Sequence, residues 1–224
     1  MNGRGMIGTF LCVIYLGVAN VMADVVQHTK HIGDVDLFYR EAGSRGDPSI
    51  LLLHGGRFHS GTWHDLGTLD TLSQNGYHPI AVDLPGYGQS PESTLEPLAF
   101  MVALIDSLNL HRPAVVSPSM SGRFSLPLAT ERSDLIGAYI PVAPAGIKTR
   151  RDHLRQIAVP TLIVWGTHDT VIPLSQSDAL HRAISGSQTL LIKDASHPCY
   201  LDKPDVFHRG ILDFLDSLNP STEN

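Results

Sequence analysis

The feature that most restricts the fold of this chain is an alternation along its length. Short runs of consecutive apolar residues are separated by stretches with helical spacing. Ile50-Leu51-Leu52-Leu53, Ile80-Ala81-Val82 and Leu162-Ile163-Val164-Trp165 are apolar at every position. A strand that is apolar on both faces must be covered on both faces, as a central strand of a parallel sheet is. Strands are expected at 35–39, 49–53, 78–83, 113–116, 136–142, 160–165 and 189–192, and helices at 62–74, 95–110, 120–129, 174–184 and 204–218. Strands that alternate with helices need crossover connections. The expected fold is therefore α/β, with a mostly parallel central sheet flanked by helices.

Composition removes other classes. The chain has 224 residues, 42% hydrophobic and 17% charged, which excludes a disordered, collagen-like or coiled-coil protein. Its net charge of −6 gives the molecule as a whole no attraction for nucleic acid or for an anionic membrane. Two cysteines, Cys12 and Cys199, cannot build a disulfide framework or a cysteine-rich zinc site, and no histidine pair with a third ligand stands at metal spacing. No metal and no resident cofactor is expected. Residues 1–23 carry one charge, Arg4, then an apolar run, then Val21-Met22-Ala23. That is the order of a secretory signal peptide, with an uncleaved signal-anchor as the rival reading. Residues 24–224 are read as one domain. The expected location is the secretory pathway, exported or held at a membrane by the N-terminus, with the cytoplasm as the alternative.

Three serines crowd one strand-to-helix junction, Ser117-Pro118-Ser119-Met120-Ser121-Gly122. A nucleophile on a sharp turn here needs small neighbours, so that strand and helix can approach; the usual spelling is G-x-S-x-G. With Ser119 in the centre, positions −2, +2 and +3 are Ser117, Ser121 and Gly122, all small. Centring on Ser121 puts Arg123 at +2, and centring on Ser117 puts Met120 at +3. Taken alone, the window equally fits a serine-rich loop that caps a helix.

The partners of such a serine follow it as acid, then histidine. Asp169, in Thr167-His168-Asp169-Thr170 after the 160–165 strand, is the candidate acid. His197, in the loop after the last strand, is the candidate base; the other histidines beyond Asp169, His181 and His208, fall in expected helices. Asp194 is a second acid, better suited to a turn. A serine hydroxyl is a weak nucleophile until a base takes its proton, and the acid fixes the tautomer of that base. The turn Gly55-Gly56 after the 49–53 strand offers a backbone N–H. The expected oxyanion donors are the amides of Gly56 and Met120.

These segments resemble the Ser-His-Asp α/β-hydrolases over about residues 35–218. Within that superfamily they closely resemble the α/β-hydrolase domain-containing protein 14 family. The resemblance is carried by Leu51-Leu52-Leu53-His54-Gly55, by Asp83-Leu84-Pro85-Gly86-Tyr87-Gly88-Gln89-Ser90, by the serine-for-glycine turn, and by His197-Pro198-Cys199-Tyr200-Leu201-Asp202-Lys203-Pro204. It implies that Ser119, Asp169 and His197 match the family triad. It also implies hydrolysis of small acyl esters, thioesters or acylated amines, including deacylation of lysine on an acylated protein with coenzyme A as acceptor. The competing function is a binding module on a hydrolase scaffold without turnover. The short connection from Val142 to Pro160 leaves no room for a lid domain. Within it, 148–155 holds four of the 16 Lys and Arg residues. This stretch reads as a solvated helix face or, more sharply, as a basic rim for an anionic acyl carrier. The loop 83–90 is read as architectural, and Cys199 as a packed thiol.

Overall fold

The computed structural model describes residues 24–218. The expected leader over 1–23 lies outside the described residues. Among the described residues no helix is long and apolar enough to cross a membrane.

Strands β1 (Val26–Ile32) and β2 (Val35–Glu41) form a hairpin turned at Gly33, whose φ of 63° lies in the left-handed region. β1 was not expected. Of its residues only Ile32 is buried, so it has no apolar run to read. Then follow β3 (Ser49–Leu52), α1 (Ser60–Asp65), α2 (Thr68–Gln74), β4 (His78–Val82) and α3 (Pro97–Ser107). The single helix expected over 62–74 is two helices. Gly67 at φ 68° separates them, a conformation that cannot continue a helix. Next come β5 (Ala114–Pro118), a 3₁₀ turn (Ser119–Ser121), α4 (Gly122–Glu131) and β6 (Ala138–Val142). The chain closes with a 3₁₀ helix (Lys148–Gln156), β7 (Leu162–Gly166), α5 (Ser175–Ala183), β8 (Gln188–Ile192), α6 (Cys199–Asp202) and α7 (Pro204–Leu218). The short α6 carries no helical period and was also not expected.

The strands form one eight-stranded sheet in the order β1-β2-β4-β3-β5-β6-β7-β8. β1 and β2 run antiparallel to their neighbours, and the remaining pairs are parallel. Alternate strand residues point to opposite faces. Leu51, Val115, Tyr139, Ile163 and Trp165 pack on one face with Phe100, Leu104, Leu128 and Leu180 of α3, α4 and α5. Leu52, Val116, Ile140 and Val164 pack on the other with Trp63, Leu69, Phe207 and Ile211 of α1, α2 and α7. Each fully buried Leu or Ile side chain contributes about 1.5–3 kcal/mol of transfer free energy, which is why the central strands are apolar throughout. β4 extends the sheet on one side of β3 and β5 on the other. The crevice beyond their carboxyl ends is the switch point where open parallel sheets present their sites. The β6–β7 connection holds only the 3₁₀ helix and no lid domain.

Candidate active site

Ser119 stands at the end of β5 with φ 51°, a left-handed conformation that costs a non-glycine residue about 1–3 kcal/mol. Its surroundings explain which neighbours must be glycine. A Cβ on Gly122 would lie 2.3 Å from the carbonyl oxygen of Ala145, so α4 can approach the β6 loop only there without a side chain. Positions 117 and 121 have no such limit. Both serines are fully buried, with their hydroxyls 3.0 Å apart, and the Ser121 hydroxyl donates to the Pro118 carbonyl at 2.8 Å. The Ala145 amide donates to the Ser119 carbonyl at 2.8 Å and ties the turn to β6.

His197 reaches this serine from the loop after β8. Its Nε2 lies 2.7 Å from Ser119 Oγ, and its Nδ1 lies 2.8 Å from Asp169 Oδ2. An ionised carboxylate only accepts, so Nδ1 carries the proton and Nε2 is left to accept the serine hydroxyl. Asp169 is held from its other side as well. Its Oδ1 accepts the amides of Val171 and Ile172 at 2.8 and 2.9 Å, and its side chain is fully buried. One carboxylate thus both shapes its own loop and orients the imidazole.

The two loops are laced together. Thr167 N–H donates to the Ile192 carbonyl, His168 N–H donates to the Ala195 carbonyl, and Asp194 N–H donates to Thr167 Oγ1. A Cβ on Gly166 would lie 2.2 Å from the Ser196 carbonyl oxygen, so this crossing needs glycine. Asp202 in α6 accepts the Ser196 amide at 2.6 Å, and hydrogen bonding from the Ser196 side chain, then from that amide, holds its carboxyl below the usual range. Asp194, weighed above as a second acid, instead faces His168 at 3.7 Å.

Gly56 and Met120 face each other across the entrance to Ser119, and a Cβ on Gly56 would lie 3.4 Å from that of Met120. The Gly55-Gly56 turn is braced by His54, which is buried. Its Nδ1–H donates to the Gly55 carbonyl at 2.8 Å and its Nε2 accepts the Leu84 amide at 2.9 Å. Burial keeps this imidazole below the ordinary histidine pKa. Asp83 is architectural too, accepting the amides of Ser60 and Gln89 at 2.7 and 2.8 Å. Cys199 is fully buried, and burial pushes its thiol up to about 12, far from a nucleophile.

Ser119 and His197 open into a cavity of about 410 Å³ lined by Gly55, Gly56, Phe58, Met120, Val171, Pro198 and Tyr200, with Arg57 beside them. The wall is mainly apolar, and Arg57, exposed, is the one Lys or Arg side chain lining it among the described residues. The reading of the sequence did not single out Arg57; a charge directly after a double glycine was the available signal. The basic stretch 148–155, by contrast, lines no part of this cavity. Arg150 pairs with Glu131 of α4, and with Thr149 it borders a separate groove against Glu96 and Arg123. The expectation of a basic rim at the entrance is therefore corrected to a solvated helical face. The 3₁₀ helix buries Leu154 alone, and its charges turn outward as a consequence.

A hydroxyl in contact with an imidazole that a carboxylate holds from its other side can be activated for attack on a carbonyl carbon, which is acyl-transfer chemistry. Comparisons with known proteins agree with the geometry. The pattern of the alpha/beta hydrolase family matches residues 50–147, and a further alpha/beta hydrolase fold pattern matches 146–204. Human ABHD14B, named as a protein-lysine deacylase, is 42% identical over 194 residues, covering 81% of this chain and 91% of its own. Zebrafish (Danio rerio) protein ABHD14A is 37% identical over 201 residues, covering 84% of this chain and 74% of its own. Among solved structures, a CIB-like hydrolase of Thermoplasma acidophilum superposes with a TM-score of 0.83 at 27% identity. That match covers 87% of this chain and 99% of the other.

Proposed function

The chain belongs to the alpha/beta hydrolase family, in its ABHD14-like branch, and from that premise we propose that Ser119, His197 and Asp169 act as nucleophile, base and acid in acyl transfer. That it is a hydrolytic enzyme follows from the family; the roles of the residues are our reading. One observation carries it: the unbroken contact from Asp169 through His197 to Ser119, at 2.8 and 2.7 Å, on a turn strained at φ 51°. In the reaction Ser119 Oγ attacks the acyl carbon while its proton passes to His197 Nε2. Asp169 stabilises the imidazolium, and the proton then leaves with the departing alcohol, thiol or amine. The amides of Gly56 and Met120 are the donors for the oxyanion that forms between these steps. A second nucleophile, water or a thiol, reverses the sequence and frees the serine.

The substrate class follows from the cavity. About 410 Å³ of mainly apolar space suits a small acyl group, and a site with no lid domain among the described residues leaves a bulky carrier outside. Short-chain esters, thioesters and acyl-lysine on a protein meet both conditions. The naming of ABHD14B as a protein-lysine deacylase supports the last of these; coenzyme A as the thiol acceptor rests on the family resemblance alone. Labelling with a serine-reactive fluorophosphonate tests the reading. The native protein should label and hydrolyse p-nitrophenyl acetate, and Ser119→Ala should do neither. A folded native protein that neither labels nor turns over would favour the non-catalytic binding module.

A further inference from the structure

Two serines stand where a nucleophilic turn ordinarily has glycine, and both are fully buried. A buried hydroxyl without a partner destabilises the fold, whereas glycine would need no partner at all. Here every hydroxyl has one. Ser117 Oγ lies 3.0 Å from Ser121 Oγ and 2.6 Å from Ser125 Oγ, and Ser125 Oγ lies 3.0 Å from the Tyr139 hydroxyl. Ser125 and Tyr139 are as deeply buried as the pair at the turn.

Counting protons gives the row a direction. A carbonyl only accepts, so the single proton of Ser121 goes to the Pro118 carbonyl. Ser117 must then donate to Ser121, Ser125 to Ser117, and Tyr139 to Ser125. The row runs one way, from Tyr139 to the carbonyl of the residue immediately before Ser119. Aligned donors of this kind strengthen one another in a low-dielectric interior. The row also ties together β6, α4, β5 and the 3₁₀ turn, the four elements that meet beneath the nucleophile. The carbonyl it ends on belongs to the peptide unit whose N–H is that of Ser119. Holding that plane holds the strained φ of the nucleophile.

We propose that this row positions Ser119, and that Ser117 and Ser121 are positioning residues of the reaction. The inference rests on the reading of Ser119 as nucleophile. Its test compares Ser117→Ala, Ser121→Ala, the double variant, Tyr139→Phe and Ser119→Ala. For each, kcat and KM on p-nitrophenyl acetate, the rate of fluorophosphonate labelling and the thermal midpoint are measured, with kinetics taken well below that midpoint. Each single alanine variant should lose about tenfold in kcat and in labelling rate, with KM held within about twofold. The double variant should lose no more than the worse single, because either change breaks the same row. Tyr139→Phe, at the far end, should lose about threefold in kcat.

Lowered midpoints with native kcat and labelling rates would overturn the proposal, leaving the row a packing device only. Fully additive losses in the double variant would overturn it too. Should the alanine variants not fold, Tyr139→Phe retains the buried ring and decides alone: an unchanged kcat overturns the proposal. A Ser119→Ala protein that still labels would break the nucleophile reading itself. Native rates in the row variants beside an inert Ser119→Ala would break only the row.

Discussion

The loops after β7 and β8 and the connection after β6 all leave the same edge of the sheet, but they end in different places. The first two meet over the nucleophile. Backbone bonds from Thr167 and His168 lace them, Gly166 lets them touch, and Asp169 and His197 face each other at 2.8 Å. The connection after β6 gives the turn one amide, that of Ala145, and then bends away through Gly146 at φ 95° into the basic 3₁₀ helix against α4. The first pair holds a single Lys or Arg, Lys193, and lies at the site. The second holds the densest cationic run in the chain and lies off it. A run of charge reports which residues face water; it does not report where the backbone carries them. The site instead assembles where loops of neighbouring strands are held by each other's backbone.

The largest effect expected from this contrast is on catalysis. His197→Ala and Asp169→Ala should each lower kcat by about 10⁴-fold with the fold retained by circular dichroism. Asp194→Ala should stay near native. Full activity in Asp169→Ala with loss in Asp194→Ala would move the acid to the other side of the lacing and break the comparison.

Next is the lacing itself. Gly166→Ala puts a methyl against the Ser196 carbonyl and should destabilise the protein by about 1–3 kcal/mol in urea unfolding, lowering kcat with it. A native midpoint would mean the two loops yield independently.

A pH series separates brace from site. His54 is buried neutral, with its pKa below the unfolded value of 6.5. Its contribution to stability is therefore fully present above pH 6.5. It is lost as pH falls, because the unfolded chain takes up the proton first and the folded chain only at lower pH. The buried His208 shifts in the same direction for the same reason. Thermal midpoints should decline below pH 6.5, and His54→Gln should flatten part of that decline. An unchanged slope would remove His54 from the account.

The smallest effect sharpens the comparison at its charged ends. Arg57→Gln should raise KM about two- to fivefold for an anionic thioester and leave a neutral ester unaffected, with the difference fading at high salt. Replacing Lys148, Arg150, Arg151 and Arg155 together by glutamine should change neither KM by more than about twofold, since these groups lie off the cavity and are screened. A larger effect from the four than from Arg57 would reinstate the basic stretch as a rim.

Much of the fold could be read from local pattern, and its failures are particular. The central strands announced themselves because burial on both faces leaves no polar position. β1 did not, because only Ile32 is buried. The helix break at Gly67 was hidden because a glycine inside a helical period need not end it; the left-handed φ that does so is a tertiary outcome. Ser119, Asp169 and His197 were picked by chain order and by position after strands, and the structure brings them into contact. Arg57 was not picked, since its place at the cavity depends on how the Gly55-Gly56 turn is braced by His54 against Leu84.

By itself, then, the sequence determined the α/β class, the expected edge of the sheet and the serine turn, all consequences of residue size and hydrophobic period over a few positions. Tertiary structure alone decided that Asp169 serves its loop with one oxygen and His197 with the other, and that the basic stretch turns away. It also decided that the serines at 117 and 121 are partnered by each other, by Ser125 and by the Pro118 carbonyl rather than left orphaned. The physical reason is the same in each case. A hydrogen bond has a reach of about 3 Å in space and none along the chain. The decisive ones here join residues as much as 78 positions apart.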